Sequence, residues 1–179
     1  MIITISGKAG SGKSSVGKIV AERLGYQHYS IGDLRGKMAS DRRISLAEFN
    51  KIGEKEDFTD KEVDDYVKKL GETEDNLVVD GRLCFYFIPQ SIKVFITANL
   101  EKRAQRVFQD ERIDEKFKDL EETKKALEER EESDLFRYKK YYNLDHLAEK
   151  HYDIIVDSSH ITAEQVAEKV IEFIEKNTH

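Results

Sequence analysis

The sequence predicts an α/β domain built on a parallel sheet, and three observations carry that expectation. Short apolar, β-branched runs alternate with amphipathic stretches of helical period along the 179 residues. The first run, Ile2-Ile3-Thr4-Ile5, passes directly into a glycine-rich turn. All ten glycines lie between Gly7 and Gly81, which concentrates backbone freedom where loops follow strands.

Each element follows from a local pattern. Ile2–Ile5 has the apolar, β-branched character of a strand buried on both faces. Val16, Ile19, Val20, Arg23 and Leu24 then supply a stripe at 3.6-residue spacing, and Gly25 stands where the helix ends. Gln27-His28-Tyr29-Ser30 reads as a second strand, with Gly32-Asp33-Leu34 opening another helix. Ser45 and Thr59 are expected N-caps, since Glu48 and Glu62 follow each at capping-box spacing. Asn76–Asp80, Ile92–Thr97 and Ile154–Asp157 read as three further strands. A last helix begins at Thr162 and turns Val166, Val170, Phe173 and Ile174 to the core.

Composition narrows the class. Thirty Lys and Arg against 36 Asp and Glu give a net charge of −6, with 39% hydrophobic and 37% charged residues. That balance argues for one soluble domain and against broad nucleic-acid binding. No apolar run has the length of a membrane span, and the start carries no basic leader, so neither export nor membrane insertion is expected. Cys84 is the one cysteine, which excludes an internal disulfide and a multi-cysteine zinc site and suits the cytoplasm. The five histidines show no ligand spacing. Glu101–Tyr142 holds 12 Lys/Arg and 13 Asp/Glu. Such a stretch is not expected to be deeply buried, and it reads either as a solvated helical pair or as a hinged lid.

Gly7-Lys8-Ala9-Gly10-Ser11-Gly12-Lys13-Ser14 matches G-x-x-x-x-G-K-[ST] at every defined position, between a strand and a helix. Glycines let backbone N–H groups wrap phosphates, and the helix N-terminus adds positive potential. A nucleoside triphosphate site is therefore expected over Gly7–Ser15, with Lys13 reaching the β- and γ-phosphates and the Ser14 hydroxyl serving Mg²⁺. Asp80, ending an apolar run, is the natural partner of that metal, and Asp33 a second candidate. A strand-ending Asp that caps the next turn is the plainer alternative for Asp80.

A transferase needs a second anion clamp facing the first. Three places could supply it: Arg35 and Lys37, Arg82 after Asp80-Gly81, and the pair Arg103 and Arg106. Arg130, Asp134 and Arg137 stand at spacings of four and three, on one face of a helix. Alone they would be a surface ion-pair row. Beside a triphosphate loop, they favour an arginine-lined phosphoryl-transfer cavity.

With these motifs in order, the chain resembles the nucleoside monophosphate kinases, and most closely the short cytidylate kinases of archaeal type. The stretches that carry the likeness are Met1–Leu24, Ser30–Asp33, Leu46–Asn50, Val78–Leu83, Arg103–Arg106, Glu129–Ser133 with Arg137–Tyr142, and Tyr152–Ser159. The resemblance implies a three-layer P-loop NTPase fold with a five-stranded parallel sheet in one domain over 1–179. Its core would span 1–30, 72–100 and 144–179, with a helical monophosphate-binding region at 30–71. A lid around Asp110–Lys118 and an arginine helix would lie within 101–142. It implies transfer of the γ-phosphoryl group of ATP to CMP or dCMP, by a monomer.

Residue by residue, the likeness makes Arg82 and Arg137 acceptor-phosphate contacts and Asp134 a contact to sugar or base. Arg130 would bridge acceptor and transferred phosphate, and the catalytic set would be Lys13, Arg130, Arg103 and Arg106. Arg103 and Arg106 become lid-hinge arginines approaching ATP, with Arg112 as an addition. Ser30, Asp33 and Arg35 would complete the acceptor site. The family often has its arginine one place after Arg35, where Gly36 stands, so Arg35 and Lys37 both remain open for that contact. A kinase for AMP, UMP or another small molecule is the near alternative. A nucleotide-dependent switch without an acceptor is the alternative from another class.

Overall fold

A computed structural model describes residues 1–56, 58–110 and 117–177. Five parallel strands form one sheet: β1 Ile2–Gly7, β2 Gln27–Ser30, β3 Leu77–Asp80, β4 Ile92–Thr97 and β5 Ile154–Asp157. Their spatial order is β2-β3-β1-β4-β5. The helices among the described residues are α1 Lys13–Leu24, α2 Ile31–Asp41, α3 Leu46–Lys55, α4 Phe58–Thr73, the single turn α5 Cys84–Phe87, α6 Leu100–Gln109, α7 Leu120–Tyr142 and α8 Ala163–Asn177.

The pleat explains the three layers. Ile3, Ile5, Val78, Val94 and Ile96 point to one face and pack with Val16 and Val20 of α1 and Val166, Val170 and Ile174 of α8. Ile2, Leu77 and Val79 point to the other, against Val63, Val67 and Leu70 of α4 and Ile88. Cys84 joins this second cluster, where burial pushes its thiol well above the ordinary range. Since β1 pairs with β3 on one side and β4 on the other, the sheet order reverses beside β1. A crevice outside the carboxyl ends of the strands is the expected ligand position in such a sheet.

The end signals mostly act as their chemistry requires. Gly25 ends α1 with φ of 68°. Ser45 and Glu48 form the reciprocal capping box of α3. Thr162 and Gln165 exchange hydrogen bonds at the start of α8.

Two expectations are corrected. Thr59 does not cap α4: it lies inside the helix, fully buried, and Glu62 pairs with Arg42 at 3.0 Å instead. The charge-dense stretch is also not uniformly solvated. Arg103, Asp134 and Arg137 are only 5%, 3% and 1% exposed. They can be buried because each is paired, and an unpaired charge at that depth would be prohibitive. Residues 111–116 of the expected lid, Arg112 among them, lie outside the described residues. No helix among the described residues is long and apolar enough to cross a membrane.

Candidate active site

The phosphate loop leaves the end of β1, where side chains cannot follow it. A Cβ on Gly7, at φ +149°, would sit 2.1 Å from the Ile96 carbonyl oxygen, and one on Gly10, at φ +77°, would sit 2.7 Å from that of Arg103. Ser11 N–H closes the turn on the Lys8 carbonyl at 3.2 Å. Lys13 opens α1 and donates from Nζ to that same carbonyl at 3.0 Å. Burial, then Arg82, pull its ammonium down to a pKa of about 7, and Asp80 opposes them only in part.

Both arginines of α6 hold the loop by its carbonyls. Arg103 donates from Nη1 to Ala9 O at 3.4 Å and from Nε to Ala98 O at 3.1 Å. Arg106 donates from Nη1 to Ser11 O at 3.4 Å and from Nη2 to Ser158 O at 2.6 Å. Ser158 Oγ also donates to Ser11 O, at 2.8 Å.

Asp80, ending β3 at 1% exposure, is the hub beneath the loop. Its Oδ1 accepts from Ser14 Oγ at 2.8 Å and Ser30 Oγ at 3.4 Å, while His28 Nε2 lies 2.8 Å from Oδ2. These oxygens are a hard-donor set of the kind Mg²⁺ takes. Sequence reasoning passed over His28. The alternation of β2 was the available signal, since it puts His28 and Ser30 on one face beside β3.

Opposite the loop, cations and carboxylates alternate. Arg82 pairs through Nε with Asp134, Asp134 with Arg137, Arg137 with Asp60, and Asp60 with Arg35 at 2.8 Å. Arg35 donates further to Asn50 Oδ1 at 2.9 Å. Lys37 is exposed, so of the two open candidates only Arg35 enters this network. Burial pushes the Asp134 carboxyl up, but Arg82, Arg137 and Arg130 outweigh it and hold the group below the usual carboxylate range. Asp60 and Asn50 were missed by sequence reasoning. Asp60 is adjacent to the misread cap, and no local motif marks it.

A cleft of about 520 Å³ lies between the two halves, lined by the loop from Ala9 to Val16 and by Asp33, Asp80, Arg82, Arg106 and Arg130. A second depression of about 440 Å³, between β5 and α8, contains none of the candidate residues. The structure thus brings the loop, Asp80, Arg82 and Arg130 to one cavity. Arg35, Asp134 and Arg137 stand behind its wall and connect to it through Arg82. Arg103 is likewise buried behind the loop. Ser30 caps α2 by accepting from Asp33 N–H at 3.4 Å, and Asp33 is exposed at the cleft rim.

Comparison with solved structures gives the same fold at low identity. An uncharacterized protein from Eubacterium ventriosum superposes with a TM-score of 0.69 at 20% identity, over 99% of each chain. The shikimate kinase of Acinetobacter baumannii superposes with 0.63 at 18% identity, over 98% of this chain and 93% of that one. Sequence relatives are nearer. The cytidylate kinase of Archaeoglobus fulgidus is 36% identical over 98% of this chain and 95% of its own. That of Methanobrevibacter smithii is 32% identical over 96% of both. The family model described as "Cytidylate kinase-like family" matches residues 2–160. The chain belongs to the cytidylate kinase-like family.

Proposed function

We propose that the protein transfers the γ-phosphoryl group of ATP to CMP or dCMP, releasing ADP and CDP or dCDP. One observation carries the reading: the triphosphate loop with Lys13 and Ser14 faces Arg82 and Arg130 across a single cleft. Hydrolysis by a switch needs only the loop side. An arginine wall opposite it fits a second anion held for in-line attack. The names of the archaeal relatives support cytidylate as the acceptor.

Loop amides and the N-terminus of α1 bind the donor phosphates, and Lys13 neutralises charge at the β- and γ-oxygens. Ser14 and Asp80 would hold Mg²⁺, their oxygens being the hard donors beside the loop. When bound, the ion would supply charge neutralisation at the donor phosphates. Arg82 and Arg130 orient the acceptor phosphate, with Asp134, Arg137 and Arg35 supporting them from behind, where Asp134 fixes Arg82 rather than meeting sugar or base. A phosphate monoester has its second pKa near about 6 and attacks as a dianion at neutral pH, so no general base is required. Arg103 and Arg106 keep the loop in its anion-binding shape through its carbonyls.

The proposed organisation is a core at 1–30, 72–100 and 144–179, a monophosphate-binding region at 30–71, and a lid and arginine helix within 101–142. Contacts between α3 and α7 support it: Ser133 Oγ donates to Glu54 at 2.6 Å, and Tyr141 OH donates to the Gly53 carbonyl at 2.8 Å. The reading includes a cytoplasmic monomer without nucleic-acid or membrane partners; the net charge of −6 speaks against nucleic acid, and the single cysteine suits a reducing compartment. The test is ADP release measured over CMP, dCMP, UMP, AMP and GMP. Acceleration confined to the cytidine nucleotides is expected, and a preference for AMP or UMP would move the assignment to that acceptor.

A further inference from the structure

Glu131 stands next to Arg130 on α7, yet it faces the donor loop rather than the acceptor. Its Oε1 lies 2.5 Å from Lys8 Nζ and its Oε2 lies 3.4 Å from Arg103 Nη1. Lys8 occupies a position of the loop motif where any residue is accepted, so phosphate binding alone does not explain a lysine there. The pair is part-buried, with side chains 29% and 21% exposed, and Arg103 is buried. From Glu131 the connection continues into the loop backbone: Arg103 donates to Ala9 O, and Lys13 donates to Lys8 O.

The same helix reaches the acceptor side one turn later. Asp134 pairs with Arg82 and Arg137, and Arg130 lines the cleft. One helix therefore carries Glu131 against the donor loop and, on the acceptor side, Arg130 in the cleft wall with Asp134 and Arg137 behind it.

We infer that Glu131 is a positioning residue that couples the two substrate sites, so that an acceptor bound to the α7 arginines steadies the phosphate loop and tightens ATP binding. The inference rests on the kinase reading above. Without acceptor, part of the donor's binding free energy goes into ordering loop and helix together. With acceptor bound, that ordering is already in place, and the second ligand binds more tightly. By linkage, ATP tightens CMP by the same factor.

The test is calorimetric titration of a non-hydrolysable ATP analogue with Mg²⁺, with and without saturating CMP, on the full-length protein. In the wild type, CMP is expected to lower the analogue's Kd by about fivefold or more. Glu131→Gln is expected to bring that factor close to one while leaving binding of the analogue alone unchanged or tighter, because Lys8 is released toward the phosphates. Lys8→Met, which removes the other partner, should lose the coupling too, and the double variant should lose no more than either single one. Glu131→Asp, keeping the charge on a shorter stem, should retain part of it. Full coupling in both single variants, or none in the wild type, overturns the inference. A merely structural role would lower the melting temperature and analogue affinity together with coupling intact, which also overturns it. Absence of any CMP binding to the wild type would instead overturn the acceptor assignment.

Discussion

Ser14 Oγ donates a 2.8 Å hydrogen bond to Asp80 Oδ1, joining the first turn of α1 to the end of β3. The pair fixes the donor loop relative to the sheet and presents two oxygens to one point. On the other side, His28 at 2.8 Å orients the Asp80 carboxylate. Removing an outer partner of a metal-binding carboxylate typically weakens the metal by 10–100-fold. His28→Ala is therefore expected to raise the Mg²⁺ concentration for half-maximal activity by roughly 10-fold, and Asp80→Asn by more. Mg²⁺ titrations of turnover at saturating ATP check this, and an unchanged requirement in both variants would remove Asp80 from the metal role.

Asp60 bridges two buried guanidiniums, Arg35 and Arg137, so its loss leaves both without their shared anion. Breaking a buried ion pair from one side costs about 3–5 kcal/mol, whereas an exposed pair contributes about 1 kcal/mol or less. Asp60→Ala should therefore lower unfolding stability by several times the effect of Glu62→Ala, which removes the exposed partner of Arg42. Denaturant unfolding measures both, and equal losses would show that the network is not held by Asp60. Gly53→Ala should disturb the same place, because a Cβ there would come within 2.6 Å of Thr59 Oγ1 and 3.4 Å of Asp60 Oδ2.

Lys13 titrates near a pKa of about 7 before nucleotide binds, pulled down by burial and Arg82. A triphosphate beside it favours the charged form and raises that value. Between pH 7 and the raised value the complex holds a proton that the free protein lacks. ATP binding at pH 8 should accordingly take up protons, and affinity should fall as pH rises above 7. Titrations in buffers of different ionisation enthalpy read the proton count directly. Uptake that persists unchanged in Lys13→Met would assign it elsewhere.

Burial raises Asp64 to a pKa of about 6, even though Tyr142 OH donates to its carboxylate. Its ordinary value is 3.8, so between these values the folded state binds more protons than the unfolded one. Stability from this group is present at low pH and is lost as pH rises through about 4 to 6. Asp64→Asn removes the ionisation and should raise stability at pH 7 by roughly 1–2 kcal/mol, with a flatter melting-temperature profile across that window. A steeper decline in the variant would contradict the assignment.

Four of the five strands were legible because they are short β-branched runs, β2 (Gln27–Ser30) being the exception, and the donor loop because its glycines are a backbone requirement. The order of the acceptor motifs placed Arg82, Arg130, Asp134 and Arg137 on one network or one cleft wall. Pairing was not legible. Asp60, Asn50, His28 and Glu131 act through partners between 15 and 123 residues away in sequence, and apart from the alternation of β2 at His28 nothing in their own surroundings marks them. The burial of Arg137 was unreadable for the same reason. Local charge density suggested solvent, and only distant carboxylates make burial possible.

Transfer itself can be followed by incubating ATP labelled at its γ-phosphoryl group with CMP and Mg²⁺, then separating the products. The expected result is label in CDP at a rate far above its appearance as inorganic phosphate, with Arg130→Ala lowering that rate more than it lowers CMP affinity. Label released only as inorganic phosphate, at a rate indifferent to CMP, would contradict a phosphoryl transferase and leave a nucleotide hydrolase.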